Sequence, residues 1–192
     1  MQIKTFNYSE KEISTMVSDP SGYLWIGFKQ DTSSNCAFQK VSASNPLQKY
    51  FDIDLSVTEI KKGFIFSSYI YVALSDSTLI GQRFSLLNPL TTNNTFLLPS
   101  GITEAPVDIL AHGSYVYFLI PGNTSGTNAK ICVFELDGTY SETIDLTTIT
   151  NAKSFTINTT TSEIWVITYS SPAKYVRVYQ LSGNIWAYTV HL

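Results

Sequence analysis

The sequence predicts an all-β chain folded as a small four-bladed β-propeller, with four antiparallel strands per blade. Three observations carry this. An aliphatic–aromatic pair recurs at a near-constant interval: Leu24-Trp25, Ile70-Tyr71, Val116-Tyr117 and Ile164-Trp165 place their aromatics 46, 46 and 48 residues apart. A fixed period in this range marks an array in which each repeat is one supersecondary unit. The composition is 14% aromatic and 14% charged, with Ser, Thr, Asn and Tyr supplying most of the polarity. β-Branched and aromatic residues suit pleated, half-buried surfaces, and a disordered chain would lack the aromatics. Finally, no stretch has the apolar spacing of an amphipathic helix longer than a turn or two.

The elements follow in order. Gln2 to Tyr8 alternates and reads as an extra N-terminal strand, within a lead-in of residues 1–12. Blade one, about 13–55, has strands Ile13 to Ser18, Tyr23 to Phe28, Cys36 to Ser42 and Gln48 to Leu55. Its first turn, Asp19-Pro-Ser-Gly22, places Pro after Asp and Gly two residues on, which fits turn chemistry. Blade two, about 59–99, has strands Glu59 to Phe66, Tyr69 to Ser75, Leu79 to Leu86 and Thr95 to Leu98. Blade three, about 107–146, has Val107 to Ala111, Tyr115 to Ile120, Lys130 to Leu136 and Thr139 to Leu146, with Asp137-Gly138 a strong two-residue turn signal. Blade four, about 153–192, has Lys153 to Asn158, Glu163 to Tyr169, Lys174 to Leu181 and Asn184 to Val190.

Second strands are apolar on both faces, as a strand between two packed sheets must be, and fourth strands are the most polar, as outer edges should be. All four repeat aromatics are therefore expected between blades. Cys36 and Cys132 fall in opposed blades, too far apart to bridge, and are expected as buried free thiols.

Several functions are disfavoured. The net charge is −3, no stretch clusters Lys and Arg, and Arg83 and Arg177 are the two guanidinium groups, so no basic stripe exists for nucleic acid. The longest wholly apolar run, Tyr115 to Ile120, is far short of the ~20 residues a helix needs to cross a bilayer, and Met1 to Asn7 has no apolar run of a secretory signal. No H-x-x-x-H, C-x-x-C, Asp-x-Asp-x-Asp-Gly, Gly-rich phosphate loop or G-x-S-x-G elbow occurs. No catalytic, metal or cofactor site is assigned.

Asp19-x-x-Gly22-x-Leu24-Trp25-Ile26-Gly27 resembles the blade motif of two-component-regulator type β-propellers, and related patterns occur in the streptogramin lyase group. Repeats two and three keep the aromatic without Asp or Trp, and repeat four keeps Trp165 without the glycines. The resemblance implies an architecture and no activity. Blade closure has three readings: a self-closed ring, half of an eight-bladed ring made by two copies, or a piece of a longer chain. The spare N-terminal strand favours the monomeric self-closed ring, with blade four packed on blade one and Gln2 to Tyr8 added to blade four.

The chemical candidates are few. His112 sits in a turn and His191 is penultimate; a lyase-type role for His112 is set against a surface-turn reading. Asp52 and Asp54 put two carboxylates on one strand face, a pattern set against a solvated outer strand. Glu12, Asp19, Glu59, Glu104 and Asp108 are scattered. Asn7, Asn93, Asn123 and Asn158 head glycosylation sequons at a frequency this composition supplies by chance. The loops Lys29 to Asn35 and Pro121 to Ala129 are better candidates, because both join strands two and three of their blades and project from one face. The preferred function is a non-catalytic binding or structural module for protein or glycan contacts, in the Ser/Thr/Asn/Tyr-rich style of phage and virus structural proteins. A lyase or glycosidase, or a ligand-sensing fragment of a larger regulator, is the alternative.

Overall fold

The computed structural model describes residues 12–30, 36–45, 48–90, 94–123, 126–158, 160–161, 163–170, 173–180 and 188–191, the residues from 169 onward by backbone alone. The expected strand Gln2 to Tyr8 and most of the loop Lys29 to Asn35 lie outside them.

Among the described residues sixteen strands form four antiparallel sheets, each a simple meander. The first sheet comprises β1 (Ile13–Ser18), β2 (Tyr23–Phe28), β3 (Cys36–Ser42) and β4 (Lys49–Leu55). The second comprises β5 (Ile60–Phe66), β6 (Tyr69–Leu74), β7 (Leu79–Ser85) and β8 (Asn94–Leu97). The third comprises β9 (Asp108–His112), β10 (Tyr115–Ile120), β11 (Ala129–Glu135) and β12 (Tyr140–Leu146). The fourth comprises β13 (Ala152–Asn158), β14 (Glu163–Ser170), β15 (Ala173–Gln180) and β16 (Tyr188–His191). First strands stack on one another, β1 on β5, β5 on β9 and β9 on β13, so they form the inner edge of the array.

Strand alternation sends successive side chains of one middle strand into two different cores. In β6, Ile70, Val72 and Leu74 enter the core shared with the first sheet, while Tyr71 and Ala73 enter the core shared with the third. In β10, Val116, Phe118 and Ile120 face the second sheet, while Tyr117 and Leu119 face the fourth. The repeat aromatic thus always points forward, toward the next blade. Trp25, Tyr71 and Tyr117 are accordingly buried.

Trp165 is not. It is 40% exposed, and Ile167 beside it on the same face is 46% exposed. The expectation that all four aromatics are buried between blades is corrected here: the forward face of the fourth sheet is left partly exposed at Trp165 and Ile167. Among the described residues the fourth sheet makes its extensive inter-sheet contacts through β13 with the third sheet, which leaves the expected packing of blade four on blade one as a proposal. Ile26, Phe28, Ala37 and Val41 form a fourth, smaller core on the rear face of the first sheet.

The Asp19 motif closes a turn from within. Asp19 Oδ1 accepts the Ser21 and Tyr23 amides (2.8 and 3.1 Å), and Oδ2 accepts the Trp25 indole N–H (3.2 Å). Gly22 adopts the left-handed conformation the turn requires, with φ +82°. The motif is an architectural device and leaves no group free for chemistry.

A second device repeats between blades. Lys40 stands opposite Trp25 in the β2–β3 ladder, and Arg83 stands opposite Tyr71 in the β6–β7 ladder. Lys40 Nζ donates to the Leu86 carbonyl (2.5 Å), and Arg83 Nη1 donates to the Leu136 carbonyl (2.6 Å), each reaching into the following sheet. Each cation also lies over the tyrosine two residues before the aromatic, at 4.4 Å for Tyr23 and 4.2 Å for Tyr69. In the third sheet the position opposite Tyr117 is Val133, so the bolt is missing there.

Candidate functional site

In an up-and-down meander the turns between second and third strands share one end with the connectors that lead into the next blade. The expected loop Pro121 to Ala129 therefore starts and ends here, and two clefts open at this end, one blade apart. The larger, of about 360 Å³, lies between the β4–β5 connector (Asp54 to Val57) and the β6–β7 turn with β7 (Asp76, Leu79, Gln82). The smaller, of about 70 Å³, lies between the β8–β9 connector (Gly101 to Glu104) and the β10–β11 loop (Asn123, Thr127, Asn128).

Side-chain acceptors shape both. Asp76 Oδ1 takes the Thr78 and Leu79 amides (2.7 Å each) and fixes its turn. Asn123 Oδ1 takes the Thr127 amide (3.2 Å), and its Nδ2 donates to Glu104 Oε1 (2.9 Å), tying loop to connector. Glu104 Oε2 and Gln82 Oε1 are withdrawn from solvent without a donor.

The lysines around the clefts are committed to partners. Lys29 pairs with Glu12 (2.5 Å) and Glu59 (3.8 Å), Lys61 with Glu59, Lys62 with Asp108 (2.5 Å) and Lys130 with Asp145 (2.9 Å). Asp54, Asp76 and Glu104 join no ion pair among the described residues.

The inner edge carries a further constellation. Thr15, Lys62, Asp108 and Ser154 hold equivalent positions on β1, β5, β9 and β13, each opposite the residue two beyond its repeat aromatic. Thr15 Oγ1 accepts the Gly63 amide (3.3 Å), and Asp108 Oδ2 accepts the Phe155 amide (3.0 Å) and the Ser154 hydroxyl. Lys62 cannot accept, so the Ile109 amide goes instead to Asp108 Oδ1 (2.8 Å), beside the Lys62 ammonium. A Lys–Asp–Ser set invites a catalytic reading, but every member here satisfies a neighbouring blade, and Asp108 is buried.

The sequence candidates scatter. His112 ends β9 at the opposite end of the sheets from the clefts. Asp52 is occupied by Gln39 Nε2 (3.2 Å) and Lys49 (3.4 Å), whereas Asp54 is exposed at the rim of the larger cleft. Of His191 only the backbone is described. Neither cysteine is in a disulfide, and the two are buried in separate cores. Cys36 Sγ donates to the Phe28 carbonyl (2.6 Å), and burial pushes the Cys132 thiol up to about 11. Among the described residues no three of His, Cys, Asp and Glu gather into a metal site. Nor is any helix there long and apolar enough to cross a membrane.

No protein-family model matches the chain, and no curated protein matches it. Solved structures do. Hydrazine synthase of Kuenenia stuttgartiensis is similar over the whole chain and 53% of its own, with TM-score 0.69 and 13% identity. Nidogen, in its complex with laminin, matches 88% of this chain and 65% of its own, with TM-score 0.64 and 11% identity. A quinoprotein alcohol dehydrogenase-like protein of Bacteroides thetaiotaomicron matches 98% and 43%, with TM-score 0.61 and 11% identity. The fold is β-propeller-like. At these identities the likeness reaches the fold alone, and the chain spans between about two fifths and two thirds of these neighbours.

Proposed function

We propose that the chain is a non-catalytic binding module whose docking surface is the end of the blades that carries the two clefts, with a protein or glycan as partner. The observation that supports this is the contrast in polar satisfaction. The turn motif, the inter-blade cations and the inner-edge constellation are paired within the fold, while three carboxylates at the clefts join no ion pair among the described residues. Binding groups concentrate on loops held by a rigid scaffold, and these clefts are bounded by such loops. Nidogen, which has this fold, is seen in a complex with laminin, which favours a protein partner. A place in a virus particle rests on composition alone and is part of the same proposal.

The test is a screen of the purified chain on peptide and glycan arrays, with each hit mapped by protection of backbone amides. Protection at residues 54–57, 74–79 and 101–104 is the expected result. A partner mapped to the opposite end, at the turns around Gly113 and Gly138, or turnover of a substrate that is lost in His112→Ala, would overturn the reading.

A further inference from the structure

The larger cleft has a chemistry specific enough to name a ligand class, given the binding-module reading on which this inference rests. Its floor is aliphatic: Leu55, Val57 and Leu74 are buried members of the core between the first two sheets, and Leu79 packs against that core. Its rim carries the carboxylates Asp54 and Asp76, neither in an ion pair among the described residues. Asp54 sits exposed on the outer strand β4, and Asp76 keeps Oδ2 beyond the two amides that occupy Oδ1. Gln82 adds a carbonyl oxygen without a donor.

An aliphatic floor under an anionic rim complements one kind of side chain. Lysine and arginine bury a methylene stem along apolar surface while the charged head reaches a polar edge. A volume of about 360 Å³ admits such a side chain whole. Local lysines do not compete for the rim, since Lys29, Lys61 and Lys62 are already paired with Glu12, Glu59 and Asp108. We infer that this cleft receives an arginine or lysine side chain of a protein partner, its head between Asp54 and Asp76 and its stem on the leucine floor. The smaller cleft one blade on, with Glu104 in its wall, offers an anionic seat for a second basic residue of the same partner.

The probe is N-acetyl-arginine N-methylamide, titrated into the full chain and followed by backbone amide shifts. N-acetyl-citrulline N-methylamide serves as the uncharged control, and spermidine as the small-molecule competitor. The expected result is saturable shifts at Leu55 to Val57 and Leu74 to Leu79. These should weaken about tenfold in Asp54→Asn, as for loss of a hydrogen bond to a charged group. They should also weaken between about 50 mM and about 500 mM salt, as a rim ion pair does. Asp76→Asn retains the Oδ1 acceptor that holds the turn, so it tests the second carboxylate without unfolding the site. Equal shifts with citrulline, or binding of spermidine without the arginine probe, would overturn the inference. A partner from the arrays that maps to this end yet ignores Asp54→Asn would overturn it too, while leaving the binding-module reading intact.

Discussion

Trp25 and Trp165 hold the same register position in the first and fourth sheets and meet opposite surroundings. Each indole N–H donates to a carboxylate at 3.2 Å, Asp19 in one case and Glu163 in the other. Trp25 is fully buried against the second sheet, whereas Trp165 is 40% exposed. The strand chemistry is shared, so the difference comes from how far each forward face is covered. Burial in a repeat array belongs to the interface, not to the residue, because each unit interacts with its nearest neighbours. The polar network follows the same rule: Asp19 also lies 3.6 Å from the buried Lys40, which bolts to the second sheet, while Glu163 is held by the nearby Thr161 hydroxyl.

The largest contrast to break is the tryptophan pair itself. Trp25→Ala should cost ~3–5 kcal/mol, the usual range for emptying a core site of a large aromatic. Trp165→Ala should cost about 1 kcal/mol or less, as for a surface substitution. Urea denaturation of the two variants checks both. Asp19→Ala comes next, at ~3 kcal/mol or more, because it strands the buried Lys40 ammonium and empties the turn. Removal of Asp52 from its exposed contact with Lys49 should change stability by less than ~1 kcal/mol. Gly81→Ala should cost ~1–3 kcal/mol by overpacking. A Cβ there would stand 2.4 Å from the Phe118 ring and 2.8 Å from the Val72 carbonyl, so the third sheet would have to move.

The smallest effect is the response to alkali. Burial raises the Cys132 thiol from 9.0 to about 11, and burial also raises the Tyr71 and Tyr117 hydroxyls. A group whose folded pKa lies above its unfolded one stabilises fully below the unfolded value and loses that contribution as pH climbs through the folded one. Stability should therefore fall between pH 9 and about 11, and Cys132→Ser should flatten part of that fall. In the native chain at pH 8 both thiols should resist alkylation, in contrast to the unfolded chain.

Much of this architecture is legible in the sequence, because second strands such as Tyr115 to Ile120 are apolar on both faces and their aromatics recur with one period. Strand ends match to within a residue wherever a turn residue such as Gly22, Gly113 or Gly138 marks them. The forward direction of the aromatic is not legible, since alternation alone gives two faces without saying which neighbour each one meets. The Lys40 and Arg83 bolts escape for a different reason. They lie opposite Trp25 and Tyr71 across loops of unequal length, so their sequence offsets differ although their register is the same. The clefts are composed from a connector and a turn of successive strands, and Asp54, Asp76 and Glu104 acquire meaning once the lysines near them are known to be paired.

The measurement that tests this account most directly is hydroxyl-radical footprinting of the dilute chain, read residue by residue by mass spectrometry. The account predicts rapid oxidation of Trp165 and Ile167 with protection of Trp25, Tyr71 and Ile26. Protection of Trp165 equal to that of Trp25 would show the two forward faces to be covered alike and would contradict the contrast between them.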